Sequence, residues 1–257
     1  MKEPIMIIGI GEMAGVFARG FLRIGHPVYP VTRDTNMTEL AKKTIQPVLA
    51  LVAVGENDLY DTLEIIPSQW RGNIGLLQNE LLPRDWEIHN LTNPTVISVW
   101  FEKKKGQDYK VLIPSPIFGP QAKLLCSALH SIDIPCRELN SKEELLYELV
   151  RKNVYILTTN IAGLETGGTV ETLWNEHQDL ARQVANEIMD IQDCLTGVKN
   201  SRERLIAGME EAINGDLNHK CMGRSAPTRL ARAIGFADQA GLKVPKLREI
   251  HSRLNQA

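Results

Sequence analysis

IMIIGIGEMAGVFARGFLRIGHPVYPVTR, residues 5–33, decides the fold of this chain. It opens with Ile5 to Ile8, a short apolar run rich in β-branched residues, the pattern of a buried strand. Gly9-Ile10-Gly11-Glu12-Met13-Ala14 follows at once. Met13, Phe17, Phe21 and Ile24 then recur at helical spacing, Gly25 closes that helix, and Val28 to Val31 starts a second strand. A G-x-G-x-x-A turn between strand and helix is the arrangement that holds a dinucleotide. Gly9 permits the tight turn, Gly11 lets a pyrophosphate approach the backbone, and small Ala14 lets helix pack close on strand. Unpaired N–H groups at the helix N-terminus, around Glu12 and Met13, are then available to the phosphates. The plainer alternative is a structural turn without a ligand, and the correct βαβ setting favours the cofactor.

The end of the second strand separates two cofactors. An NAD site presents Asp or Glu there to the ribose 2′-hydroxyl, whereas this chain has Val31-Thr32-Arg33. Arg33 can pair with a 2′-phosphate, so NADP(H) is expected over NAD(H). Asp34, one residue on, keeps NAD(H) open, and an arginine in a loop can also be merely solvated.

Working outward, Val48 to Val54, Ile74 to Leu77, Thr95 to Phe101 and Tyr109 to Ile113 also read as strands, with helical periodicity between several of them. Strands alternating with helices predict an α/β fold built on a parallel, doubly wound sheet. After about Arg137 strand signals disappear. The expected division is therefore a Rossmann dinucleotide-binding domain over residues 1–138 and an all-helical domain for substrate or dimerisation over 139–257, with the active cleft between them. Ser141 and Glu144 resemble a capping box for a helix through Leu146, Val150, Val154 and Leu157, interrupted at Gly163 and at Gly167-Gly168. Thr169 caps a predicted helix from Val170 to about Leu195, and further helices are expected near Ser201–Asn214, Ala226–Ala240 and Lys246–Leu254.

Composition excludes several classes. With 29 basic against 31 acidic residues, no long-range field draws the chain to nucleic acid or an anionic membrane. No stretch approaches the length of a membrane span and none resembles a signal peptide, which makes a cytoplasmic location the default expectation. Cys126, Cys136, Cys194 and Cys221 form no Cys-x-x-Cys pair, and the six histidines have no ligand spacing, so neither a metal site nor dithiol chemistry is expected. Lys103-Lys104-Lys105 sits before Gly106, where a hairpin turn fits, and such a run is normally solvated, the alternative being a contact to a phosphate. Arg224, Arg229 and Arg232 fall near a helix start, either as ligands for a substrate carboxylate or as an exposed basic face.

Four segments together resemble the ketopantoate reductase family, whose members reduce a 2-oxo acid with NADPH. The first is the opening stretch through Arg33. The second, Leu77-Gln78-Asn79-Glu80, is similar to the family's L-Q-N-G, in which the Asn lies beside nicotinamide and substrate. The third, Val150-Arg151-Lys152-Asn153 through Thr159-Asn160, is similar to the inter-domain helix that supplies a Lys as general acid and Asn residues downstream. Gly223-Arg224-Ser225 and Gly241-Leu242-Lys243-Val244-Pro245 resemble the family's C-terminal pattern. The chain departs from that pattern at Ile156, where the family helix has an Asn, and at Val54-Gly55, where the third strand commonly ends in Val-Lys. It also lacks a carboxylate in Ser225-Ala226-Pro227-Thr228-Arg229-Leu230.

The resemblance implies NADPH-dependent reduction of a small 2-oxo acid. Lys152 would give the proton to the developing alkoxide, since a lysine with an ordinary pKa of about 10.4 is a strong donor at neutral pH. Asn79 and Asn160 would orient the reacting groups, while Gly9, Gly11, Glu12, Met13, Ala14, Arg33, Val54, Gly55 and Asn79 would surround the cofactor. Eight helical residues rise roughly 12 Å, so Lys152 and Asn160 can border one cleft but cannot both touch one small group unless the helix bends. The three departures leave a second expectation standing, a NADP(H)-binding sensor or partner-binding protein without catalysis. A homodimer is compatible with the helical half.

Overall fold

The computed structural model describes residues 2–43, 46–254 and 256. Among them the chain runs β1 (Ile5–Ile8), α1 (Glu12–Arg23), β2 (Val28–Val31), α2 (Met37–Lys43), β3 (Leu49–Val52), α3 (Leu59–Glu64), β4 (Ile74–Leu76), α4 (Pro83–Glu87) and β5 (Thr95–Ile97). It continues with β6 (Phe101–Lys103), β7 (Tyr109–Val111), β8 (Ser115–Phe118), α5 (Ala122–His130) and β9 (Cys136–Glu138). Helices follow: α6 (Lys142–Thr166), α7 (Val170–Glu176), α8 (Gln178–Thr196), α9 (Arg202–Gly215), α10 (Ala226–Ala240) and α11 (Pro245–Leu254). Two compact units result, one up to Leu149 and one from Val150. They divide inside α6 because its first turns are tied to the sheet unit. The Ser98 hydroxyl donates to the Glu148 carbonyl at 3.5 Å, and the buried Glu148 carboxylate accepts from Arg137 at 2.5 Å.

In the first unit seven strands lie in the order β2-β1-β3-β4-β5-β8-β9. β1 pairs in parallel with β2 on one side and β3 on the other, Ile5 lying opposite both Val28 and Leu49. The chain therefore leaves β1 in one direction and returns in the other, which opens a crevice at the carboxyl ends of β1 and β3. The sheet is mixed rather than wholly parallel. β8 runs antiparallel to β5 with Ile97 opposite Ile117, and β9 pairs in parallel with β8. Neither β8 nor β9 carries a strand pattern of its own, and the predicted strand Thr95 to Phe101 breaks after Ile97 so that β6 can pair with β7 as a separate hairpin. Phe17 and Phe21 of α1 are fully buried in one cluster with Ile5, Ile7, Leu49 and Leu51. Each such ring contributes about 1.5–3 kcal/mol by leaving water. α1 closes with the Gly25 N–H on the Leu22 carbonyl and the His26 N–H on the Phe21 carbonyl, both at 3.0 Å.

In the second unit, Ser141 accepts from the Glu144 N–H at 3.2 Å, and the Glu144 carboxylate accepts from the Asn140 N–H at 2.8 Å, a reciprocal cap reaching one residue further back than expected. The predicted interruption at Gly163 does not occur, since α6 runs on to Thr166. Gly163 serves a close approach instead: a Cβ there would lie 2.6 Å from the Cys221 Cβ. Termination falls to Gly167 and Gly168, at φ +64° and +70°. Thr169 caps α7 by accepting from the Thr172 N–H at 3.3 Å, but the single long helix expected from it is broken at His177 into α7 and α8. No helix among the described residues is long and apolar enough to cross a membrane.

Candidate functional site

The turn from β1 into α1 is held by backbone alone. Gly9 has φ +94°, and a Cβ on it would sit 2.8 Å from the Ala53 carbonyl oxygen, so no other residue fits. Its N–H donates to the Val31 carbonyl at 2.9 Å while the Ala53 N–H donates to the Ile8 carbonyl at 2.7 Å, which sets the ends of β1, β2 and β3 at one level. Gly11 caps α1 in an extended conformation with no side-chain cap, and nothing lies within 4 Å of where its Cβ would be. The first N–H groups of α1 thus keep the partial positive charge that suits an anion.

These strand ends enclose a cavity of about 670 Å³, a size that suits a small-molecule ligand. Gly9 and Gly11 contribute from β1, Val31-Thr32-Arg33 from β2, Ala53-Val54-Gly55 from β3, and Ile65 adds an apolar wall. The structure therefore brings Gly9, Gly11, Arg33, Val54 and Gly55 to one place. Ala14 is buried beneath them, and Met13 is half-buried against the apolar core. Glu12 turns to a separate cavity of about 310 Å³, shared with Arg19, Lys103 and Tyr109. There its carboxylate lies 3.3 Å from Lys103 Nζ. Lys103 is consequently not a solvated end of the lysine run, as expected, but a mostly buried cation that also donates to the Lys104 carbonyl at 3.0 Å. Lys104 stays exposed beside Glu102.

Arg33 stands at the rim of the larger cavity with its side chain 91% exposed, and it is paired at 3.3 Å with Asp58 from the 3-10 turn after β3. Asp34 and Asp61 line the same rim. A solvated pair of this kind holds its guanidinium by no more than about 1 kcal/mol, so a bidentate phosphate can displace the carboxylate. Asp58 carries no sequence signal, because a pairing across 25 residues is set only by the fold.

Gln78 is a second missed residue. Buried, it donates from Nε2 to the Val52 carbonyl at 2.8 Å and to the Val54 carbonyl at 3.3 Å, and its Oε1 accepts from the Leu77 N–H at 3.1 Å. It ties the end of β4 to the end of β3 beside the cavity. Asn79, half-buried, follows directly. Glu80 then adopts φ +59°, a left-handed conformation that costs a non-glycine residue about 1–2 kcal/mol. This is the position at which the similar family stretch has glycine, so the turn persists without the residue that would adopt it freely.

In the second unit Lys152 and Ile156 are half-buried one turn apart on α6, while Arg151, Asn153, Val154, Tyr155 and Leu157 around them are buried. Asn160 is buried with both ends of its amide engaged: Nδ2 donates to the Cys221 carbonyl at 3.0 Å, and Oδ1 accepts from Arg229 Nη1 at 2.8 Å. Of the three arginines near the start of α10, Arg224 is exposed, Arg232 half-buried and Arg229 buried, so they do not form one exposed basic face. Cys221 is fully buried, and burial pushes its thiol up to about 11. No group of three or more His, Cys, Asp or Glu among the described residues could hold a metal ion.

No family model and no curated protein matches this sequence. Solved structures match along nearly its whole length. A 2-dehydropantoate 2-reductase from Methylococcus capsulatus aligns with a TM-score of 0.66 at 12% identity, covering 98% of this chain and 96% of the other. A dimeric ketopantoate reductase from Staphylococcus aureus aligns with a TM-score of 0.67 at 16% identity, covering 98% of each chain. D-mandelate dehydrogenase in complex with NADH aligns with a TM-score of 0.69 at 14% identity, covering 97% and 96%. The fold is that of the ketopantoate reductases. At such identities the likeness carries the fold alone, and within the ketopantoate reductase fold the argument for a ligand rests on this chain's own strand ends. They fit a dinucleotide: a glycine turn with open space at Gly11, uncapped helix N–H groups, and a cation at the far rim.

Proposed function

We propose that this chain is an NADPH-dependent reductase of a small 2-oxo acid. The observation that carries the proposal is the meeting of Gly9, Gly11 and Arg33 around one cavity at the carboxyl ends of β1, β2 and β3. The uncapped N–H groups from Gly11 through Met13 would hold the pyrophosphate, Arg33 the 2′-phosphate, and Val54-Gly55 the wall between them. When bound, the dinucleotide supplies a hydride to a carbonyl carbon. Asn79 would hold the nicotinamide side of the site. Lys152 would donate the proton to the carbonyl oxygen. Asn160, whose amide is committed to Arg229 and Cys221, would act as a positioning residue that fixes α10 against α6.

The oxidoreductases among the similar structures support the reaction class, and the dimeric Staphylococcus aureus enzyme supports a homodimer, to be checked by light scattering. A cytoplasmic location belongs to the same proposal. The test pairs fluorescence titration of NADPH with turnover on a panel of 2-oxo acids. Binding together with oxidation of NADPH by one of them is expected, and Lys152→Ala should lower kcat at least about a hundredfold while leaving NADPH affinity within about twofold. An unchanged rate would remove Lys152 from the mechanism.

The second reading, a NADP(H)-binding sensor, is favoured by the half-buried Ile156 where an amide would be needed and by the absence of Asp and Glu from residues 225–230. Tight NADPH binding without turnover on any 2-oxo acid would establish it instead.

A further inference from the structure

α5 and β9 bring together two thiols that lie ten residues apart in the sequence. Cys136 Sγ donates to the Cys126 carbonyl oxygen at 3.6 Å and lies 3.4 Å from His130 Nε2. Their closeness is built into the connection. The Ile132 and Ile134 N–H groups both donate to the Leu129 carbonyl at 3.0 Å, and Asp133 takes φ +62°, which folds the chain tightly from the end of α5 back into β9. Cys126 and Cys136 are 6% and 9% exposed in the same apolar cluster as Leu125, Leu129 and Ile134, beneath the exposed His130. Neither thiol nor His130 lines either cavity described above.

We propose that Cys126 and Cys136 are an oxidation site at which a peroxide converts the two thiols into one disulfide, clamping α5 to the edge strand of the sheet. Roles follow from the surroundings of each thiol. The neighbouring Cys136 side chain lowers the pKa of Cys126, against burial and the nearby Glu138 carboxylate. The Cys126 side chain, burial and Glu138 raise Cys136. Cys126 is therefore the thiol that ionises more readily and Cys136 the thiol that resolves it.

The Cys126 sulfur attacks one peroxide oxygen, the O–O bond breaks, and the leaving oxyanion takes a proton to become water or an alcohol. This leaves Cys126 as the sulfenic acid. Cys136 then gives up its proton as its sulfur attacks the Cys126 sulfur. The S–O bond breaks and hydroxide leaves with that proton as water. Two thiols are oxidised by two electrons and one peroxide is reduced.

The test uses the full chain carrying Cys194→Ser, which removes the exposed thiol, treated with hydrogen peroxide under native conditions and then alkylated and digested. The expected product is a cross-linked pair of peptides containing Cys126 and Cys136, lighter by two hydrogens and restored by dithiothreitol, with Cys221 recovered alkylatable after denaturation. A dimedone trap then checks the roles. Cys136→Ser should accumulate an adduct at Cys126, and Cys126→Ser should accumulate none at Cys136. Recovery of both residues as free thiols, or as separate sulfinic acids, would overturn the proposal, as would an adduct confined to Cys136. Because the unsubstituted pair is read directly, failure of either variant to fold leaves the first measurement decisive.

Discussion

Arg33 and Asp58 compete over one charge. A 2′-phosphate replacing the Asp58 carboxylate gains charge-assisted hydrogen bonds of about 1.5–3 kcal/mol, against a solvated ion pair of at most about 1 kcal/mol. Arg33→Ala should therefore weaken NADPH binding by about 10- to 100-fold and leave NADH within about twofold, read by fluorescence titration. Asp58→Asn works in the opposite direction. It frees the guanidinium and removes a repelling carboxylate from the rim, so NADPH affinity should rise by up to about fivefold with NADH unchanged. Equal effects of Arg33→Ala on both cofactors would shift the assignment to NAD(H), with Asp34 as its ribose ligand.

The elements that were legible in the sequence are those whose pattern is local. β1, α1 and β2 lie where the apolar runs, the helical spacing and Gly25 place them, because each signal is a property of adjacent residues. β8 is a strand only because β5 offers it a partner and β9 only because β8 does, and Ser115-Pro-Ile-Phe and Cys136-Arg-Glu have no alternation to betray it. The site divides in the same way. Gly9 and Gly11 announce a backbone conformation, whereas Asp58, Gln78 and Cys136 matter through partners that only the tertiary structure supplies. Gly163 shows how one local signal has two outcomes, since a mid-helix glycine marks either a break or a close approach, and here it is the approach. Gly163→Ala should accordingly cost about 1–3 kcal/mol by forcing α6 off the Cys221 segment, seen as a lower midpoint in urea. Asn160→Ala should cost a similar amount, about 1–3 kcal/mol, by leaving the buried Cys221 carbonyl and Arg229 guanidinium without their amide partner. No loss from either substitution would mean that α6 and the Cys221 segment can separate freely.

For the molecule as a whole, the buried thiol of Cys221 couples folding to alkaline pH. Burial raises it from 9.0 to about 11, so between those values the folded chain keeps a proton that the unfolded chain releases. Stability from this group is fully present below the unfolded pKa and is lost as pH rises through the folded one, because the state that binds more protons is weakened as they become scarce. A rise of about two units corresponds to a loss of about 2–3 kcal/mol across that window. Comparison with Cys221→Ala isolates the share of the thiol. That variant should begin less stable at neutral pH, through the small void it leaves beside Gly163, and should then lose less stability than the unsubstituted protein as pH rises from 8 toward about 11. Urea unfolding at each pH, followed by hydrogen exchange in α6 and α10, reads this in the unit that holds Cys221. Parallel pH profiles for the two proteins would show that the thiol is ionised as readily in the fold as out of it.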